Sequence, residues 1–126
     1  MLNKLEFTAV LPASDLKRAQ AFWSEKLGME PAEERGEGLL YRSPSGGGLL
    51  IYETQFAGTA QNTQFCWITA DVEGEVAELR GRGVVFEEYD LPGIKTENGI
   101  ATIEGEKGAW FKDSEGNTVC ISQLVE

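Results

Sequence analysis

Two stretches of the chain carry apolar residues at helical spacing, each preceded by an aspartate and followed by a glycine. In the first stretch Asp15 precedes the apolar positions and Gly28 follows them, and in the second Asp71 and Gly83 stand at the corresponding places. Aspartate is a preferred N-cap residue, and glycine is the usual residue just beyond a helix. The pattern therefore predicts two helices, each bounded by these residues.

Short runs rich in β-branched and aromatic residues surround the two predicted helices and indicate strands. The predicted strands cover residues 5–11, 39–42, 49–53, 63–70, 84–86, 109–112 and 118–124. Pro12 is expected to stop the first strand. The segment 90–99 is rich in turn-forming residues and predicts a long loop.

The two halves of the chain match each other. The segment Tyr41–Glu53 aligns without a gap on Phe111–Gln123, which puts Gly46 on Gly116 and Leu50 on Cys120. This internal repeat predicts two βαβββ modules in tandem, an α+β fold forming a partly closed eight-stranded cleft with the helices outside. Residues 1–126 then form a single domain, with module one at 1–55, a linker at 56–62 and module two at 63–126.

Side-chain alternation along the strands predicts which residues line such a cleft. The expected inward-facing residues are Thr8, Val10, Leu50, Tyr52, Phe65, Trp67, Cys120 and Ser122. Glu53 is expected at the rim, and Trp110 adds a further aromatic side chain. This set suits a flat or partly apolar organic ligand. Plain core packing for the aromatic residues and a solvated strand end for Glu53 remain alternatives.

Charge restricts the classes of partner. The 126 residues carry a formal net charge of −10, and this disfavours nucleic acid and anionic membranes, which bind clustered cations. The acidity serves either solubility alone or attraction of a cationic ligand. No apolar run reaches the roughly 18 residues of a membrane span, and no signal peptide is recognisable, so a cytoplasmic location is expected.

The sequence contains no histidine and two cysteines. The missing imidazole removes the commonest metal ligand and the commonest acid–base group. We therefore expect no metal and no other cofactor. Cys66 and Cys120 each lie in an apolar run, and we expect both to be buried free thiols.

Three segments carry a family resemblance: LPASDLKRAQAFWSEKLGM, DVEGEVAELRGRGVVFEEYD and AWFKDSEGNTVCI. They resemble the vicinal oxygen chelate superfamily, which holds glyoxalase I, bleomycin resistance proteins and extradiol dioxygenases. The resemblance implies a homodimer. It also implies that the metal-ligand positions are Thr8, Leu50, Phe65 and Cys120, a set that does not suit a divalent ion. An alignment shifted by one residue would offer Glu53 and Gln64 instead.

Two functions follow from these observations. The first is a metal-free protein that binds or sequesters a small cationic or aromatic molecule, as the resemblance to bleomycin resistance proteins implies. The alternative is an isomerase or lyase in which a cleft carboxylate such as Glu53 removes a proton beside a carbonyl group. A regulatory interaction module is a third interpretation.

Overall fold

Two helices and ten strands make up the part of the chain that the computed structural model describes, residues 1–36 and 38–124. A short 3₁₀ turn at Leu2–Lys4 comes first. The elements of the first half are β1 (Thr8–Ala13), α1 (Leu16–Glu25), β2 (Glu33–Arg35), β3 (Gly38–Arg42) and β4 (Gly48–Glu53). Those of the second half are β5 (Phe65–Ile68), α2 (Val72–Gly81), β6 (Asp90–Leu91), β7 (Ile94–Glu97), β8 (Ile100–Ile103), β9 (Glu106–Lys112) and β10 (Thr118–Leu124).

The strands form two sheets with a common topology. The first sheet has the order β1-β4-β3-β2, and the second has the order β5-β10-β9-β8-β7-β6. In each sheet the first strand of that half pairs in parallel with the last one. The α+β class is confirmed, but the architecture is a four-stranded and a six-stranded sheet, with no closed barrel among the described residues. The domain boundaries and the linker at 56–62 stay predictions.

The internal repeat reappears in the two hairpin turns. Ser43 N donates to Gly47 O at 2.7 Å, and Asp113 N donates to Asn117 O at 3.0 Å. Gly46 and Gly116 have φ values of +97° and +82°, a conformation that favours glycine. The gapless match between the two hairpins therefore corresponds to equal turn geometry.

Both helices begin and end as the sequence predicts. The Asp15 side chain accepts a hydrogen bond from Arg18 N, and the Asp71 side chain accepts one from Gly74 N. Gly28 and Gly83 have φ values of +70° and +92°. These caps satisfy backbone groups that a helix end leaves unpaired. No helix in the described part of the chain is long and apolar enough to cross a membrane.

Three strand predictions need correction. Pro12 does not stop β1 but lies inside it, which is tolerated because β1 is an edge strand and one side of it needs no N–H donor. Residues 84–86 form only an isolated bridge, between Phe86 and Phe111. The expected loop 90–99 instead contains β6 and β7, which widen the second sheet. The three-residue strand β2 had no distinct signal in the sequence.

One core lies between the helix-covered faces of the two sheets. Trp23 of α1 is fully buried, and its ring centroid lies 5.4 Å from that of Tyr41 in β3 and 5.4 Å from that of Trp67 in β5. Phe111 in β9 stacks on Trp67 with the centroids 6.0 Å apart. Because these rings come from both halves, the two halves share their buried surface and leave the opposite sheet faces open.

A buried carboxylate joins the turn of the second half to the start of α1. The Glu115 side chain is 0% exposed, and it accepts hydrogen bonds from Ser14 N at 2.9 Å and Asp15 N at 3.0 Å. Arg18 donates to both of its oxygens, from Nε at 2.8 Å and from Nη2 at 2.9 Å. We call this set of contacts the Glu115 latch.

The rest of the same turn also reaches the first half. Asp113 accepts a hydrogen bond from Trp23 Nε1 at 3.2 Å. Asn117 Nδ2 donates to Pro12 O at 3.0 Å and to Asp113 Oδ2 at 2.9 Å. Buried polar groups are costly unless they are bonded. The turn and the first half are therefore held in one relative position.

The Glu115 latch makes the free energy of unfolding depend on pH in the acid range. Burial alone would raise the pKa of Glu115, but hydrogen bonds from Arg18, from Asp15 N and from Ser114, together with the Arg18 charge, lower it from 4.5 to about 2. Since the folded pKa is the lower one, the stabilisation is complete above about pH 4.5 and is lost as the pH falls towards 2. It amounts to about 3 kcal/mol of unfolding free energy.

We predict that Glu115→Gln lowers the free energy of unfolding by about 3 kcal/mol at neutral pH, because the charged acceptor is lost. The variant should also show a shallower decline between about pH 4.5 and 2. Urea denaturation at several pH values measures both effects. Glu53→Gln, at an exposed strand end, is the matched control. An acid profile of Glu115→Gln that parallels the unmodified protein would contradict this role.

Candidate ligand-binding site

Each sheet has one face turned away from the shared core, and we call these the open faces. In the first sheet Val10 of β1 lies opposite Leu50 of β4, which in turn lies opposite Leu40 of β3. In the second sheet Cys66 of β5 lies opposite Cys120 of β10, which lies opposite Trp110 of β9. The residues that the sequence match pairs, Leu50 and Cys120, thus occupy corresponding places.

The first open face brings together Thr8, Val10, Leu50 and Tyr52, all of which were expected to face the cleft. Thr8, Leu50 and Tyr52 lie on neighbouring strands with the same orientation. Val10 is 51% exposed and Tyr52 is 42% exposed. This face is apolar and accessible in the single chain, with polar atoms only at Thr8 and Tyr52 among these four residues.

The second open face brings together Trp110, Cys120 and Ser122, also as expected from alternation. Cys120 and Ser122 are buried by their neighbours, and Trp110 is half-buried. Ile68 on the outer strand is 75% exposed. Both open faces therefore carry apolar side chains that the single chain does not cover.

Phe65 and Trp67 do not share the face of Cys120, so the expectation that they face the same cleft is wrong. They pair with Val119 and Ile121 and point into the helix-covered core. A shift of one residue along a strand exchanges the two faces, and Cys66 takes the predicted place. Glu53 likewise lies on the opposite face from Tyr52, at the exposed end of β4.

The Trp110 ring is held in a defined position on the second open face. Its Nε1 donates to Thr63 Oγ1 at 3.0 Å, and the Tyr89 ring meets it nearly edge-on, with centroids 5.7 Å apart at 76°. A Cβ on Gly108 would lie 3.1 Å from the ring atom Cη2. The ring therefore leans over Gly108, where no side chain obstructs it.

Glu106 adds a carboxylate to the same face of β9 as Trp110. It begins β9, two residues before Gly108, and accepts a hydrogen bond from Ser122 Oγ at 2.8 Å. Burial raises the pKa of Tyr89, and the nearby charge of Glu87 raises it further, so the phenol stays protonated at neutral pH. We call Trp110, Tyr89, Glu106 and Ser122 the Trp110 cluster.

The two thiols of this face differ in acidity. A hydrogen bond from Cys120 holds the pKa of Cys66 below its usual value, although burial and Glu106 oppose the shift. The same hydrogen bond and burial raise the pKa of Cys120 far above its usual value. Cys66 is exposed and Cys120 is buried, so the expectation of two buried thiols is wrong for Cys66.

A separate crevice of about 760 Å³ lies on the helix-covered side. Phe65, Trp67 and Tyr41 line its wall, and Leu79 of α2 and the turn 43–45 border it. The Tyr41 hydroxyl is buried without a hydrogen-bond partner, and burial followed by the charge of Glu30 raises the pKa of Tyr41 to about 12. Two predicted site residues, Phe65 and Trp67, thus line this crevice, and Thr8, Leu50, Tyr52, Trp110 and Cys120 do not.

The residues that the sequence resemblance implies as metal ligands, Thr8, Leu50, Phe65 and Cys120, do not fit a divalent ion. The strand register pairs Leu50 with Val10 and Cys120 with Cys66, and neither Val10 nor Leu50 carries a donor atom. Among the described residues, no group of three or more His, Cys, Asp or Glu side chains converges on one point. A divalent site needs three or four convergent donors.

Three residues of the second open face were missed from the sequence as ligand-binding candidates: Cys66, Tyr89 and Glu106. Cys66 had an available signal, because it precedes Asp71 by five residues just as Val10 precedes Asp15 by five. Tyr89 and Glu106 had no such signal in the sequence, because their positions depend on the unpredicted strands β6 and β7 and on the full length of β9.

Several solved structures share this architecture. A glyoxalase/bleomycin resistance protein from Catenulispora acidiphila is 21% identical over 95% of this chain and 98% of its own, with a TM-score of 0.67. An antibiotic binding protein from a Streptomyces species is 21% identical over 95% and 97%, with a TM-score of 0.66. A lactoylglutathione lyase from Agrobacterium tumefaciens is 19% identical over 94% and 92%, with a TM-score of 0.61.

The sequence matches no protein-family model and no curated protein. The similar structures include a lyase and a binding protein at nearly equal similarity. The fold alone therefore does not determine the function of this chain.

Proposed function

We propose, from the vicinal oxygen chelate fold that this chain has, that the protein binds a small cationic aromatic molecule and does not transform it. The observation that carries this proposal is the Trp110 cluster, in which two aromatic rings and a carboxylate lie on an open sheet face. The proposal invokes no metal, because among the described residues no group of three or more His, Cys, Asp or Glu side chains converges on one point.

The chemistry of the cluster favours a cation. A cationic group over the Trp110 ring would gain about 0.5–2 kcal/mol from the aromatic face, and the Glu106 carboxylate would supply the opposite charge. The net charge of −10 attracts such a ligand at longer range. Ser122 and Tyr89 add hydroxyl groups for orientation.

The alternative, an isomerase or lyase, has less support. Glu53 was its expected general base, and this residue lies on the opposite face of β4 from Tyr52 and Leu50. Enolate formation also requires a second group that stabilises negative charge. The Trp110 cluster contains the Glu106 carboxylate. Among the described residues, no cationic side chain is hydrogen-bonded to the cluster.

The same open faces support the proposal of a homodimer. Val10, Tyr52, Ile68 and Leu124 are exposed apolar or aromatic side chains on these faces, and exposed apolar patches mark interfaces. Among the described residues β1 pairs on one side only, and such edges are usually covered. In this arrangement a second copy would cover part of each open face and enclose the ligand.

We predict that Trp110→Ala weakens the binding of a cationic aromatic compound by about 1–3 kcal/mol, the scale of a buried aromatic anchor. The compound would be selected in a thermal-shift screen in which each cationic aromatic compound is tested beside its neutral isostere. Glu106→Gln should lower the affinity for the cation and leave the affinity for the neutral isostere unchanged. Calorimetry measures each affinity.

Glu104→Gln, a change in the exposed turn before β9, is the matched control for Glu106→Gln. Equal affinity for cation and isostere, or equal losses at Glu104 and Glu106, would contradict the proposed role of the carboxylate. Turnover of a bound compound, detected by mass spectrometry of the recovered ligand, would instead favour the lyase or isomerase.

We further predict that the protein sediments as a dimer at micromolar concentration, at about twice the chain mass of 13.8 kDa. Ile68→Lys places a charge on the second open face and should shift the equilibrium towards single chains, because an unpaired charge is costly to bury. Val85→Lys is the control, since Val85 is 83% exposed and lies outside the strands. A 13.8 kDa species for the unmodified protein would contradict the dimer.

A further inference from the structure

The two cysteines of the sequence are direct neighbours across two strands. Cys66 of β5 and Cys120 of β10 are register partners in the parallel pair, so both side chains lie on the same open face. Adjacent strands are about 4.8 Å apart, which lies within the roughly 4.4–6.8 Å between Cα atoms that a disulfide spans. Two thiols separated by 54 positions in the chain are thus brought within bonding reach by the fold.

The two thiols differ in exposure and in pKa, and this difference suits a reaction in which one thiol reacts before the other. Cys66 is exposed, and its Sγ donates to the backbone carbonyl of Trp67 at 3.3 Å. Cys120 is buried on β10, which lies between the edge strand β5 and β9. In the single chain, a small oxidant therefore reaches Cys66 first. The hydrogen bond from Cys120 that lowers the pKa of Cys66 also raises the fraction of Cys66 that is thiolate.

We propose that Cys66 and Cys120 form a redox pair that reduces hydroperoxides and closes into an intrachain disulfide. Cys66 is the attacking residue and Cys120 the resolving one. The proposal concerns the cysteine pair alone and is independent of the identity of the ligand bound at the Trp110 cluster.

The chemistry balances in two steps. The Cys66 thiolate attacks one oxygen of the hydroperoxide, the O–O bond breaks, and the second oxygen leaves with a proton as water or an alcohol; Cys66 becomes a sulfenic acid. The Cys120 sulfur then attacks the Cys66 sulfur, the S–O bond breaks, and the hydroxyl leaves as water with the Cys120 proton. Two thiols have lost two electrons in total, and the peroxide has gained them.

The position of the pair gives the oxidation a local consequence. Cys120 is the register partner of Trp110 on its other side, so the new S–S bond would lie beside the Trp110 ring. A disulfide is a quencher of neighbouring tryptophan fluorescence. Oxidation should therefore be visible in the emission of Trp110, whereas Trp23 and Trp67 lie on the opposite side of the sheets.

The test is a titration of the reduced full-length protein with hydrogen peroxide. We expect both thiols to disappear together and the intact chain to lose about 2 Da, the mass of two hydrogens. Non-reducing electrophoresis should show no linked chains, and dithiothreitol should restore both thiols. The fluorescence decrease on oxidation should be absent in Trp110→Phe.

Serine variants separate the two roles. In Cys120→Ser the Cys66 sulfenic acid persists and is trapped by dimedone, whereas in Cys66→Ser the remaining thiol reacts at least about tenfold more slowly. Equal rates in the two variants would overturn the assignment. So would two intact thiols in the unmodified protein after excess peroxide, or disulfides that link separate chains. The titration of the unmodified protein decides the question even where a variant misfolds.

Discussion

The buried carboxylate of Glu115 determines how the two halves of this chain meet. It lies in the turn of one half and accepts hydrogen bonds from the first turn of α1 in the other half. With Asp113 and Asn117 it ties the second hairpin to Trp23 and to β1. Because this turn joins the helix-covered sides, the halves share one core and the opposite sheet faces remain open. The site, the proposed dimer and the accessibility of Cys66 all depend on that choice of buried face.

The hairpin turns of the two halves differ in sequence, and this difference explains the crevice. The hairpin match puts Ser43, Ser45 and Gly47 of the first turn at the positions of Asp113, Glu115 and Asn117. The first turn borders α2, at Glu75 and Leu79, and about 760 Å³ remains open there. One half therefore has a latch where the other has a concavity. The rings of Phe65 and Trp67 are half-buried because this space beside them is unfilled.

Most of the architecture was predictable from the sequence, because its signals are local. Asp15, Gly28, Asp71 and Gly83 mark helix ends by capping chemistry, and Gly46 and Gly116 mark equal turns. The orientation of β5 was not predictable in the same way. Its four residues alternate aromatic and smaller apolar side chains, so the sequence allows either face of the strand to be the buried one. Only the pairing with β10 determines that Phe65 faces the core and Cys66 the open face. Tyr89 reaches Trp110, and Ser122 reaches Glu106, only through contacts between distant parts of the chain, which leave no pattern along the sequence.

The indole N–H signals of the three tryptophans test the central claim, that ligands bind on the open face, most directly. Trp110 lies on that face, Trp67 borders the crevice, and Trp23 is buried against Asp113. Nitrogen–proton correlation spectra, with each signal assigned from a tryptophan-to-phenylalanine variant, would be recorded during titration with a cationic aromatic compound. We expect a saturable shift of the Trp110 signal, with the Trp67 and Trp23 signals unchanged. A shift of Trp67 with Trp110 unchanged would place the ligand in the crevice and contradict the central claim.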